Sequence, residues 1–133
     1  MSLYAIGDLH FSTLVEKPMN IFGDKWDKHE EKIISSWKDN VKEDDVVLVL
    51  GDTSWGINLT EAKPDLDIIS NLCGNKIFIK GNHDYWWTTV TNLNKLYDNM
   101  KFLQTNFYEY GEYAICGGRG WICPNDFKFD DND

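Results

Sequence analysis

The chain has 133 residues, a length that suits one domain able to bury about two-thirds of its unfolded surface. Hydrophobic residues make up 42% and aromatics 14%, including six Trp, which excludes a disordered composition. Thirteen Lys and Arg stand against 22 Asp and Glu, and the formal charge of −9 weighs against a basic nucleic-acid groove.

The first ten residues carry no basic segment and reach Asp8 before any long apolar run, so no secretory signal is expected. Leu3-Tyr4-Ala5-Ile6 reads as a strand that stops at Gly7-Asp8. Trp26, Glu30, Ile33, Ile34, Trp37 and Val41 then follow three- and four-residue spacing and predict a helix. Val46 to Leu50 has no polar alternation, which predicts a strand buried on both faces of a parallel sheet, ending at Gly51-Asp52. Leu59, Ala62, Leu66, Ile69 and Leu72 predict a second helix, with Thr60 as its cap and Pro64 in its first turn. Ile77-Phe78-Ile79 is a third strand, running through Lys80 into Gly81-Asn82. Val90, Leu93, Leu96, Tyr97 and Met100 predict a third helix. Phe107–Tyr110 and Tyr113–Cys116 read as strands about a Gly111-Glu112 turn. Gly117 to Gly120 is a loop, and Asp130-Asp131-Asn132-Asp133 a solvated tail.

Alternating strands and helices imply right-handed crossovers and an α/β fold with a mostly parallel sheet. The longest apolar run, Val46 to Leu50, is too short to span a bilayer. The cysteines, Cys73, Cys116 and Cys123, are odd in number and form no C-x-x-C pair. Reduced thiols in a cytoplasmic protein without a membrane partner are therefore expected, rather than a disulfide framework or a zinc ribbon.

In an open parallel sheet, ligands bind beyond the carboxyl ends of the strands. Each of the first three strand ends here delivers cation-binding side chains: Asp8 and His10, then Asp52, then Asn82, His83 and Asp84. Carboxylate, imidazole and amide oxygen together suit Mn, Fe, Zn or Mg. A single Gly-Asp after a strand is more often an ordinary turn. The ordered set G-D-x-H, G-D and G-N-H-D, each after a predicted strand, is hard to obtain by chance.

Gly7-Asp8-Leu9-His10, Gly51-Asp52 and Gly81-Asn82-His83-Asp84 resemble the first three signature blocks of the calcineurin-like metallophosphoesterases. Lys17-Pro18-Met19, Ile21-Phe22-Gly23, Asp52-Thr53-Ser54-Trp55, Tyr85-Trp86-Trp87 and Gly118-Arg119-Gly120-Trp121 are similar to a bacterial branch described as predicted phosphohydrolases. The resemblance implies an α/β/β/α sandwich and hydrolysis of a phosphoester by in-line attack of a metal-bound hydroxide in a two-metal site. It implies two divalent ions, Mn, Fe, Zn or Mg. Asp8 and His10 would hold one metal, Asp52 would bridge both, Asn82 would hold the second, and His83 would act at the leaving oxygen.

Two departures qualify that expectation. Protein phosphatases of the class carry Asp then Arg where this chain has Trp55-Gly56, and their third block starts with Arg and ends in Glu where this chain has Lys80 and Asp84. That argues against a protein phosphatase. The family also has a fourth-block His and a final G-H-x-H block. The only histidines here are His10, His29 and His83, and nothing after Asp84 resembles those blocks. Residues 1–133 are therefore expected to be one carboxyl-terminally truncated domain. Its second sheet would be incomplete, at most one metal would be tightly held, phosphoesterase activity of this chain would be negligible, and a tendency to self-associate would follow.

Other residues are less specific. His29 reads as a surface or interhelix histidine, the alternative being an added ligand. Arg119 either contacts a substrate phosphate or is a surface arginine in a turn. Of Trp86 and Trp87, one is expected in the core and one walling the cleft. Cys116 and Cys123 read as small core or loop residues, and Gly117 to Gly120 lacks the ending of a P-loop. The leading functional expectation is hydrolysis of a phosphomonoester or small nucleotide-type substrate, with nucleic acid an unexpected partner. The rivals are a phosphodiesterase or nuclease on the same metal core, and an inactive fragment or binding and oligomerisation module.

Overall fold

The structure, a computed structural model, describes residues 1–119. Four parallel strands form its centre in the order β1-β2-β3-β4: β1 Leu3–Ile6, β2 Val46–Val49, β3 Asn75–Ile79 and β4 Met100–Leu103. Two longer helices alternate with them, α1 His29–Asn40 and α2 Leu59–Ser70, and the single turn α3 Val90–Leu93 precedes β4. Two 3-10 turns, Met19–Phe22 and Asp24–Trp26, lie before α1. A separate antiparallel hairpin pairs β5 Phe107–Tyr110 with β6 Tyr113–Cys116. Its two-residue turn starts at Gly111, whose φ of 57° suits a glycine.

Register explains the core. Val49, Phe78 and Phe102 lie in one row across the sheet, and Val47, Lys76 and Met100 in the next. All but Lys76 belong to the apolar cluster that also takes Trp37 from α1 and Ala62, Leu66 and Ile69 from α2. The alternate side chains point to the other face of the sheet. There Ile77 and Leu103 are buried, while Leu3 on edge strand β1 stays exposed.

Several expectations need correction. Asn58, not Thr60, caps α2: its Oδ1 accepts the Glu61 N–H at 3.0 Å. Pro64 consequently falls in the second turn, where it removes one helical N–H. The helix expected to run to Met100 stops at Leu93. Asn92, Asn94, Asp98 and Asn99 favour local side-chain bonds over a helix, and the Asn94 Oδ1 instead accepts the Phe102 N–H at 2.9 Å, steadying β4. Trp86 and Trp87 are both buried, packing on Phe102 with ring centroids 6.4 and 5.2 Å away. Cys116 is exposed at the end of β6. Gly120, Trp121, Cys123 and the acidic tail lie outside the described residues.

Candidate metal centre

The loops leaving β1 and β2 continue side by side after their strands end. Asp8 N–H donates to the Gly51 carbonyl at 3.1 Å, His10 N–H to Asp52 at 2.9 Å and Phe11 N–H to Thr53 at 3.0 Å; Trp55 N–H returns a bond to Phe11 at 2.9 Å. This zipper holds three residues in left-handed backbone: Asp8 at φ 56°, His10 at 46° and Asp52 at 52°. Such a conformation costs a non-glycine residue about 1–2 kcal/mol. Strain of that kind collects at functional sites.

The side chains so presented converge. His10 Nε2 lies 3.5 Å from Asp8 Oδ1 and 3.8 Å from Asp52 Oδ2. One ligand atom from each of the three lies within 4.8 Å of the others. His10 and Asp52 are buried and Asp8 is exposed, so the cluster has one open side. Burial holds the His10 imidazole below its usual pKa, against the opposing pull of the Asp52 and Asp8 carboxylates. That favours the neutral ring a cation needs. The His10 Nδ1 is buried without a hydrogen-bond partner among the described residues. Mixed nitrogen and oxygen donors around an open side suit a divalent ion.

The third loop docks onto this pair. His83 N–H donates to Asp52 Oδ1 at 2.9 Å, fixing that carboxylate from behind. Gly81 permits the approach: a Cβ there would sit 2.1 Å from Asp52 Oδ1. The His83 ring lies 6.0 Å from that of His10. Asn82 is exposed and lines a cavity of about 350 Å³ shared with Asp8, Asp52, Lys80 and Arg119. A more apolar cavity of about 370 Å³ lies between β1 and α1, and neither carboxylate nor imidazole lines it. Asp8, His10 and Asp52 are thus brought into one cluster. Asn82 and Arg119 share its cavity, and His83 stands at its edge.

Asp84 is not on the cation side. It is 1% exposed, and its carboxylate accepts N–H groups from Gly81 at 2.7 Å and from Asp52 and Thr53 at 2.8 Å, plus the Trp86 indole at 3.0 Å. Burial pushes its pKa upward and these donors oppose the shift. It ties the third loop to the second. Trp55, at the position where protein phosphatases have a second Asp, stacks on His10 at 4.8 Å and leans on His83 at 4.7 Å. The Lys17 ammonium lies over the Trp55 ring, 5.6 Å from its centroid. His29 is not aimed at the cluster; its Nε2 faces the Leu9 carbonyl at 3.0 Å and the His10 carbonyl at 3.2 Å. For Asp84 the signal was its place in the third block; for Trp55 and His29 residue spacing gave none.

Asp8 and His10 at the end of β1 and Asp52 at the end of β2 define a candidate site for a divalent cation. The calcineurin-like phosphoesterase family matches residues 1–132, and the chain belongs to that family. It is 31% identical over 83 residues to the uncharacterized protein MJ1445 of Methanocaldococcus jannaschii, covering 62% of this chain and 46% of that protein. The crystal structure of the protein of unknown function AQ665 from Aquifex aeolicus superposes with a TM-score of 0.53 at 25% identity, covering 86% of this chain and 58% of that one. The chain thus spans about half the length of these relatives. No helix among the described residues is long and apolar enough to cross a membrane.

Proposed function

We propose that this chain carries the metal-binding half of a phosphoesterase acting on a small phosphorylated molecule, residues 1–133 forming one domain of the family. In this reading Asp8, His10 and Asp52 hold one divalent cation, and Asp52 and Asn82 contribute to a second. Bound cations would neutralise phosphate charge and supply a nucleophile at neutral pH. Asp52 suits the shared position because a carboxylate offsets two neighbouring positive charges. Asn82 adds an oxygen without a further negative charge to repel phosphate. His83 stands ready to serve the leaving oxygen as acid or electrostatic stabiliser. Arg119 and Lys80, in a chain of net charge −9, line the same cavity as the carboxylates and favour an anionic substrate.

The observation that carries this reading is the convergence of Asp8, His10 and Asp52, all three in left-handed backbone at successive strand ends. An assay of 4-nitrophenyl phosphate against bis(4-nitrophenyl) phosphate, with and without Mn2+, tests it. Mn2+-dependent turnover of the monoester, faster than the diester and lost in Asp52→Asn, would support it. Preferential diester cleavage would favour the phosphodiesterase alternative. A second reading, a metal-binding module without turnover, draws on the cluster itself: its three donors serve one ion, and the second would have only Asp52 and Asn82 among the described residues. One Mn2+ bound per chain with neither ester cleaved would favour it.

A further inference from the structure

His29 opens α1, and its neighbour Lys28 has left-handed backbone at φ 50°. That kink sets the helix end against the loop that follows β1. The His29 Nε2 lies within hydrogen-bond reach of two consecutive carbonyls, Leu9 and His10. Carbonyl oxygens only accept, so this nitrogen must carry a proton to bond either of them. The next residue, Glu30, takes the opposite polarity: its Oε1 accepts the Ser12 N–H at 3.0 Å. The Trp26 ring meets the His29 ring edge-on at 5.4 Å and fixes its tilt.

The loop gripped this way holds His10 at φ 46°, a conformation that costs a non-glycine residue free energy and must be imposed by its surroundings. The zipper to the β2 loop engages the His10 N–H, and His29 engages its C=O. Both backbone polar groups flanking the His10 side chain are therefore fixed from opposite sides. We infer that His29 is a positioning residue. Its Nε2–H, shared between the Leu9 and His10 carbonyls, holds His10 in the strained backbone that aims its imidazole at Asp8 and Asp52. This inference rests on the metal-centre reading above for its consequence, and on the described contacts alone for its geometry.

Two measurements test it separately. Long-range proton–nitrogen correlation spectra of histidine side chains in the metal-free protein at pH 8 report which ring nitrogen is protonated. A proton on His29 Nε2 is expected; a bare Nε2, or an equal mixture of tautomers, would overturn the inference whether or not any metal binds. Calorimetric titration with Mn2+ then compares His29→Gln, whose amide donor falls near the Nε2 position, with His29→Leu, which has none. The Gln variant is expected within about threefold of the unsubstituted chain. The Leu variant is expected to be weaker by roughly 10–100-fold, the usual effect of losing a group that orients a ligand. A folded Leu variant with unchanged Mn2+ affinity would contradict the inference, because a merely structural histidine would lower the melting temperature alone. Should that variant not fold, the tautomer and the Gln rescue decide. An unsubstituted chain that binds no Mn2+ would remove the metal-centre reading, and the tautomer would still report on the contact.

Discussion

At the amino ends of β2 and β3, Asp45 accepts N–H groups from Ser2 at 2.6 Å and Lys42 at 2.9 Å, and the Lys76 ammonium donates to the Ser70 and Leu72 carbonyls. At the carboxyl ends, Asp8, His10 and Asp52 turn their free donor atoms toward one another at 3.5 and 3.8 Å, too far for hydrogen bonds. All five non-glycine residues with left-handed backbone among those described, Asp8, His10, Lys28, Asp52 and Thr105, lie on this second side. The amino end uses its polar groups to close the fold. The carboxyl end keeps strain and gathered like charge that folding alone would not retain, which is how a site prepared for a cation differs from a structural network.

Substitutions can break that contrast. The largest effect on stability is expected where the carboxyl end is itself structural. Asp84→Ala strands the buried N–H groups of Gly81, Asp52 and Thr53 and should lower unfolding free energy by roughly 3–4 kcal/mol in urea denaturation. Asp52→Asn should do the reverse in kind. It should weaken Mn2+ binding by about 100-fold or more by calorimetry, and more than Asn82→Ala, while the melting temperature holds or rises as repulsion from Asp8 falls. Equal losses at Asp52 and Asn82 would count against a shared role for Asp52. Asp45→Asn is the control at the other end: stability should drop, because one of the Ser2 and Lys42 N–H groups loses its acceptor, with Mn2+ affinity unchanged.

Lys76 sharpens the comparison through pH. Burial lowers its pKa to about 8 from 10.5. Below about pH 8 the amine is charged in both folded and unfolded chains, and the full desolvation cost is present. Between about 8 and 10.5 the unfolded chain binds more protons than the folded one, so this group makes stability rise with pH. Lys76→Met should flatten that rise, because the group that titrates differently in the two states is removed. A steeper rise in the variant would contradict the assignment. The smallest effect is expected at the rim: Lys17→Met removes a cation over Trp55 worth about 0.5–1 kcal/mol, which a melting curve would register as a shift of a few degrees at most.

The strands that stop at Gly7, Gly51 and Gly81 were legible in the sequence because each is a short apolar run that ends at a glycine, although β1 proves to be an exposed edge strand. The convergence of Asp8, His10 and Asp52 followed, since parallel strands deliver their next residues to one edge. β4 was not legible. Met100, Lys101, Phe102 and Leu103 form a short run whose first residue also completes the helical spacing of Val90, Leu93 and Tyr97. Lys76 and Asp84 were not legible as buried groups either. Their burial depends on carbonyls and N–H groups supplied by α2 and by the β2 loop, which lie distant in sequence or face inward only after folding. Asp84 was grouped with the cation-binding side chains because it ends the Gly81-Asn82-His83-Asp84 block that follows β3. The sharp turn after Gly81 sends it the other way.

Crystals grown with Mn2+ and measured at the manganese absorption edge would test the metal centre most directly. The expected result is an anomalous peak within bonding distance of Asp8, His10 Nε2 and Asp52 at the carboxyl end of the sheet. A well-ordered site with no peak there, or manganese bound only at surface carboxylates such as Asp44 or Glu43, would contradict it.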